Sequence, residues 1–196
     1  MIILNPTIRK HVAQVLADTM ASCYPENIKK RIINEMLWTA TCDSEIGKKD
    51  GIKYAQAYWS EAAILKRISN LGDKKSRKDD GLIHEHLVPK NLIKKYIENQ
   101  INLDENLIEN ILNNYNHSVV VTKLEDKKLN DLDLRDKLPR HKELTMQPNI
   151  NKESILFSRY IIAKIPLFHV EFDKHTPQMK YKKLSFKNNE AHISRD

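Results

Sequence analysis

The residues of this chain best suited to do chemistry stand in one short run, Leu82-Ile83-His84-Glu85-His86-Leu87-Val88-Pro89. Three ionisable side chains lie inside an apolar segment. Burying them is costly unless they are paired or hold a metal, and a chain rarely accepts that cost for packing alone. A histidine at the end of a strand, oriented by a backbone carbonyl, can take a proton from water near neutral pH, and His86 is the candidate. Glu85 is a hard oxygen donor, and a cation such as Mg²⁺ asks for a few such oxygens, with water and substrate phosphate completing its shell. Asp126 could supply a second oxygen. The chemistry these groups allow is attack of a His86-activated water on a phosphodiester bridged to the cation, which offsets the charge growing on the leaving oxygen.

Each residue also has an ordinary reading. A lone histidine is usually structural, and His84 is the first to suspect. Asp126 would be a common acid near a helix N-terminus, favoured by the dipole. Strand alternation sends Glu85 to the face opposite His84 and His86. The carboxylate can therefore join His86 only where the strand ends or bends.

The elements that must position these groups follow from the apolar spacing. Ile83, Leu87 and Val88 mark a short buried strand, and Pro89 suits the first position of the helix after it. That helix carries Leu92, Ile93, Tyr96 and Ile97. Asp104 caps another, with Leu107, Ile108, Ile111 and Leu112. Ser118-Val119-Val120-Val121-Thr122 is β-branched and short, a second strand, and 123–130 is helical. Upstream, Ile8, Val12, Val15, Leu16 and Met20 recur at helical spacing. So do Ile28, Ile32, Ile33, Met36 and Leu37. A third helix is expected after Gly51, with Ile52, Ala55, Trp59, Ala62, Ala63 and Ile68 on one side. Its Tyr54, Tyr58 and Trp59 suit core packing better than a base-stacking surface. Ile155 to Ile165 is a last apolar stretch. Leu167, His169 and Glu171 alternate with Phe168, Val170 and Phe172 like a strand, and a mobile tail is expected beyond Pro177. The expected fold class is α+β, mostly α. Strands near 82–88 and 118–122 and a helix at 123–130 form a small unit embedded in a helical domain.

Composition narrows the partners. The chain has 196 residues, a 40% apolar share, a formal net charge of +7 and a pI of about 9.2. The charge favours an anionic partner, nucleic acid first and a membrane surface second, although lysine-rich composition alone produces basic chains. The run Lys74, Lys75, Arg77 and Lys78 precedes the His-Glu-His segment and reads as a solvated loop or as a phosphate-contacting one. Lys90 follows the segment. Cys23 and Cys42 form no C-x-x-C pair, which argues against a cysteine zinc site and for free thiols. With no H-E-x-x-H, a metalloprotease is unsupported. Four glycines and no glycine-rich loop make a P-loop or Rossmann domain improbable. No segment approaches the roughly 20 apolar residues of a membrane span, and the start lacks a signal-peptide pattern. The expected location is the cytoplasm.

At this point the motif resembles a known family. Ile83-His84-Glu85-His86-Leu87-Val88-Pro89 is similar to the first strand of the HNH endonucleases. Val119-Val120-Val121-Thr122-Lys123-Leu124-Glu125-Asp126 is similar to the second strand and helix start of their ββα-metal unit. Tyr58 to Ala63, Leu134 to Pro139 and Arg159-Tyr160 resemble stretches of uncharacterised bacterial and phage proteins of this kind. The resemblance implies a metal-dependent DNA endonuclease, with a setting in restriction or phage defence; RNA in place of DNA is left open. His86 would be the general base, assisted by His84. Glu85 and Asp126 would hold Mg²⁺ or Mn²⁺, with Zn²⁺ ranked behind, and Asn116 or His117 would orient His86. Lys74, Lys75, Arg77, Lys78 and Lys90 would meet the nucleic acid. Residues 1–48 would be an N-terminal helical segment, 49–165 the HNH-like domain and 166–196 an extension with a basic tail. No membrane partner is expected, and a homodimer is left open. The departures are Asp126 where the family has Asn or His, no clearly placed middle asparagine, and a long helical stretch between the strands. The alternative reading is a non-catalytic basic module that binds nucleic acid or protein through a degenerate motif, and a third is zinc in the His84/Glu85/His86 cluster, for which a closed structural site needs four ligands and no fourth stands out.

Overall fold

The computed structural model describes residues 6–41, 56–70, 80–139, 144, 152–172 and 179–184. The described residues form seven helices and one five-stranded mixed sheet, an α+β fold that is mostly helical. In chain order the elements are α1 (Pro6–Ala21), α2 (Glu26–Thr39), β1 (Tyr58–Ser60), α3 (Glu61–Ser69), β2 (Leu82–His86), α4 (Lys90–Glu98), α5 (Glu105–Tyr115), β3 (Ser118–Thr122), α6 (Lys123–Asp131), α7 (Lys152–Ile162), β4 (Leu167–Phe172) and β5 (Met179–Lys183). None of these helices is long and apolar enough to cross a membrane.

The sheet runs β2-β3-β1-β4-β5. β2 lies antiparallel to β3, β3 parallel to β1, and β1 antiparallel to β4. Cross-strand partners share a face. Val119 and Val121 therefore look one way, toward the main core with Leu129 of α6 and Tyr160 of α7. Val120 looks the other way, and packs with Trp59 and with Ala63 and Ile64 of α3.

The parallel strands β1 and β3 each run straight into a helix, and the two helix starts are tied together. Ser60 Oγ accepts from Ala63 N and donates to Glu125 Oε2 at 2.6 Å. Thr122 and Glu125 form a reciprocal capping box. One carboxylate thus serves both helix N-termini, since Thr122 N also donates to it at 2.9 Å. Lys123 N donates to the Gly81 carbonyl at 3.0 Å, which fixes the start of β2 beside the start of α6. Gly81 takes φ +67°, and a Cβ there would strike the Lys66 side chain.

Two sequence expectations are corrected. Tyr58 and Trp59 do not lie on a helix. They form β1, and the helix begins only at Glu61, after the Ser60 cap. Trp59 is fully buried and donates its indole N–H to the Gln56 carbonyl, so it is core as expected, but from a strand and not from a helical stripe. The stretch beyond Pro177 is not simply a loose tail, because β5 pairs with β4 through its whole length. The expected strand at 167–172 is present as β4, where Tyr58 faces His169 and Trp59 faces Phe168.

Candidate active site

The His-Glu-His run is β2, at the edge of the sheet, and the strand ends at His86. The backbone bends through Leu87 and Val88 to Pro89, which caps α4 from outside and is not its first residue as expected. The pairing register sets the side-chain directions. His84 pairs with Val120 and His86 with Ser118, while Glu85 pairs with Val119. Glu85 therefore faces α6 and α7, and both histidines face the other way.

On the Glu85 face the central group is Arg159 of α7, which is fully buried. Its guanidinium donates to the carbonyls of Leu134 at 3.0 Å, Arg135 at 2.6 Å and His86 at 2.5 Å, and to the Tyr160 hydroxyl at 3.2 Å. It also lies 3.7 Å from the Glu85 carboxylate. A planar fork with several fixed donors suits such convergent carbonyls better than an ammonium would. Burial raises the Glu85 pKa. Arg159 lowers it, and the nearby Asp126 of α6 raises it again. The two carboxylates are thus close enough for their charges to oppose each other. Burial also pushes the Tyr160 hydroxyl up to about 12.

On the histidine face the rings of His84 and His86 are parallel, with centres 6.2 Å apart. Trp38 of α2 covers both, at 4.4 Å from His84 and 5.3 Å from His86. Lys90 Nζ stands 5.1 Å over the Trp38 ring. His86 is 4% exposed. It hydrogen-bonds the Leu37 carbonyl, and because its Nε2 has no partner, the donor is Nδ1. That bond leaves the Nε2 lone pair free, but Nε2 is buried out of reach of solvent. Burial, His84 and Lys90 hold His86 down to about 3. Burial and Lys90 hold His84 down to about 4. Both rings are neutral at physiological pH.

Asn116 does not touch His86. It is fully buried, and its Nδ2 donates to the same Leu37 carbonyl at 2.9 Å. Its own carbonyl accepts from Arg9, which also reaches Leu112 O and Asn113 Oδ1. Asn116 thus acts on His86 through a shared acceptor. His117 turns back to the Asn113 carbonyl at 2.9 Å. Lys90 is beside the histidines, whereas Lys74, Lys75, Arg77 and Lys78 lie outside the described residues.

The structure therefore puts Glu85 on one face of β2, where the charge of Asp126 is felt, and His84, His86 and Lys90 on the other. Two carboxylates are the oxygen ligands a hard divalent cation takes, with water and phosphate completing its shell, although the Arg159 guanidinium 3.7 Å from Glu85 opposes a second positive charge there. Among the described residues, no group of three or more His, Cys, Asp or Glu is placed to hold a metal ion. Sequence reasoning missed Trp38, the Leu37 carbonyl and the role of Arg159. An aromatic residue near the end of α2 carries no local mark of its partner, and an arginine inside an apolar helix was the one signal available. No family model, no curated protein and no solved structure matches the chain.

Proposed function

We propose that this chain is a metal-dependent endonuclease of the HNH type that hydrolyses phosphodiester bonds in DNA. The observation that carries the proposal is the antiparallel β2–β3 pair running straight into α6, with Glu85 and Asp126 within electrostatic reach of each other. Glu85 and Asp126 would hold Mg²⁺ or Mn²⁺, which when bound offsets charge on the leaving oxygen. β2 ends at His86, and a phosphate held by both Glu85 and His86 must lie around that end of the strand. His86 Nε2 takes the proton of the attacking water, with Leu37 O holding the tautomer. A free-protein value of about 3 is low for a base. A phosphate anion beside the ring acts in the opposite direction to Lys90 and raises it. Lys90 in turn neutralises part of the phosphate charge.

One observation favours a second reading. His86 is buried beneath Trp38, which suits a non-catalytic module whose motif is structural. The two readings separate in a digestion assay of plasmid and single-stranded nucleic acid with Mg²⁺, Mn²⁺ or EDTA. The nuclease reading expects metal-dependent cutting that falls about a hundred- to ten-thousand-fold in His86→Ala. Cutting by His86→Ala at the wild-type rate would remove His86 as the base. Salt-sensitive binding with no cutting under any metal would favour the module.

A further inference from the structure

The last strand of the sheet, β5, carries Lys180, Tyr181, Lys182 and Lys183 with no acidic residue among them. All four are exposed, and Tyr181 keeps 53% of its surface in water. Sequence alone leaves these lysines in a loose tail. Pairing with β4 fixes them instead, with Lys180 opposite Glu171, Tyr181 opposite Val170, Lys182 opposite His169 and Lys183 opposite Phe168. Lys180 and Lys182 therefore share one face, roughly 6.8 Å apart along the strand, and Tyr181 and Lys183 share the other. The Tyr181 ring meets Phe168 edge to face at 5.8 Å, so the core holds it upright. Among the described residues no ion pair takes up any of the three ammonium groups. Lysines on an edge strand guard it against pairing with another chain. That role needs charge alone, and an exposed aromatic ring between the charges works against it. Cations that follow a phosphate backbone, with a ring on which a base can stack, are what single-stranded nucleic acid asks of a protein.

We infer that the β5 edge is a binding surface for single-stranded nucleic acid, with phosphates on Lys180, Lys182 and Lys183 and a base stacked on Tyr181. A lipid surface fits less well. Elements that lie on a membrane bury a broad apolar face, whereas Lys180 to Lys183 offer one ring and no branched apolar side chain. β2 and β5 are the opposite edges of the sheet, four strand spacings or roughly 19 Å apart. The surface is thus separate from the candidate active site, and substitutions on it leave Glu85, His86 and Asp126 untouched. It rests on neither reading of that site. A nuclease would use it to hold a strand away from the scissile bond, and a binding module would use it for binding itself.

The test is a fluorescence-anisotropy titration of the full chain with a labelled single-stranded oligonucleotide of about 12 nucleotides, within the usual site sizes. It is run in EDTA at several salt concentrations. Lys180→Gln, Lys182→Gln and Lys183→Gln combined are expected to weaken binding and to flatten the slope of log affinity against log salt by about 2, three phosphates at about 0.7 each. The same three positions as arginine keep the charge and should bind like the parent. Tyr181→Leu is expected to weaken single-strand binding about five- to a hundredfold, the stacking of one base, and to change binding of the matching duplex by less than about twofold. If the glutamine variant self-associates in sedimentation for want of its edge charges, Lys182→Glu takes its place, with a slope change of about 1. An unchanged salt slope in these charge variants, or equal losses for single strand and duplex in Tyr181→Leu, overturns the surface. So does a charge variant that loses binding to phosphatidylserine vesicles while keeping the oligonucleotide. Because EDTA stops metal-dependent cutting and binding is the readout, a failed nuclease assay leaves this result standing.

Discussion

The two faces of β2 solve the same problem in different ways. Glu85 looks into a neighbourhood of charge, where Arg159 stands 3.7 Å away and Asp126 opposes. His84 and His86 look into a neighbourhood of rings, where Trp38 covers them and their open nitrogens meet nothing. One face keeps a charge by supplying a counter-charge. The other discards its charge, because imidazole can be neutral at physiological pH and a guanidinium cannot. A buried ionisable group is therefore either answered or silenced, and neighbouring residues of one strand show both outcomes.

The answered face should break hardest. Arg159→Met removes the partner of Glu85 and uncovers the carbonyls of Leu134, Arg135 and His86. A loss of about 3–5 kcal/mol is expected from urea denaturation. Arg159→Lys should recover only part of it, since an ammonium lacks the fork. A loss under about 1 kcal/mol would mean that the clamp is not what holds this face.

The silenced face should show itself through pH. His84 and His86 have ordinary values of 6.5 and folded values of about 4 and about 3. Between those limits the unfolded chain binds protons that the folded chain refuses. Stability is therefore fully present above about pH 6.5 and is lost as the pH falls toward 4 and then 3. The slope is about 1.4 kcal/mol per pH unit for each histidine inside its window. Denaturation midpoints measured with EDTA from pH 7.5 to 4.5 check this. A flat profile would mean that water or an ion reaches the rings.

The next effect is smaller. Glu85→Gln gives up attraction to Arg159 but also ends the repulsion from Asp126 and the cost of a buried charge. Those terms oppose each other in the raised Glu85 pKa, so the variant should stay within about 1 kcal/mol of the parent. A larger loss in thermal unfolding would show that Arg159 dominates the balance.

What the sequence revealed followed how local each signal was. The β2–β3–α6 segment could be read because β-branched Val119 to Val121 and the apolar ends of the motif are patterns within a few residues. Opposite directions for Glu85 and His86 also followed from strand alternation. β1 could not be read as a strand. Tyr58 and Trp59 matched a helical stripe, and only pairing on both sides, with β3 and β4, holds them extended. Ser60 and the Thr122-Lys123-Leu124-Glu125 box did carry the two helix starts, but Glu125 serving both depends on strands 62 residues apart in sequence, as Thr122 is from Ser60. The same holds for the site. The types of its residues were visible, whereas Trp38 over the histidines and Leu37 beneath Nδ1 come from a helix distant in the chain. Asn116 was singled out as an orienting group, and the structure gives it only the shared carbonyl.

The smallest effect is also the sharpest separator of the two faces. His84 has both ring nitrogens unmatched and packs at a tilt against Trp38, so at neutral pH its polar atoms contribute nothing that an apolar group would lose. Replacing an unmatched polar group by an apolar one of similar volume is close to neutral or stabilising. His84→Leu is therefore expected to change unfolding free energy at pH 7.5 by less than about 0.5 kcal/mol, in either direction. The same substitution should remove one histidine's share of the acid slope, since leucine offers the unfolded chain no proton site. The variant and its parent then coincide near pH 7.5 and separate as the pH falls, the variant being the more stable. If His84→Leu is instead destabilised by 2 kcal/mol or so at pH 7.5, the cost of a lost buried partner, then His84 is answered after all and the contrast between the faces fails.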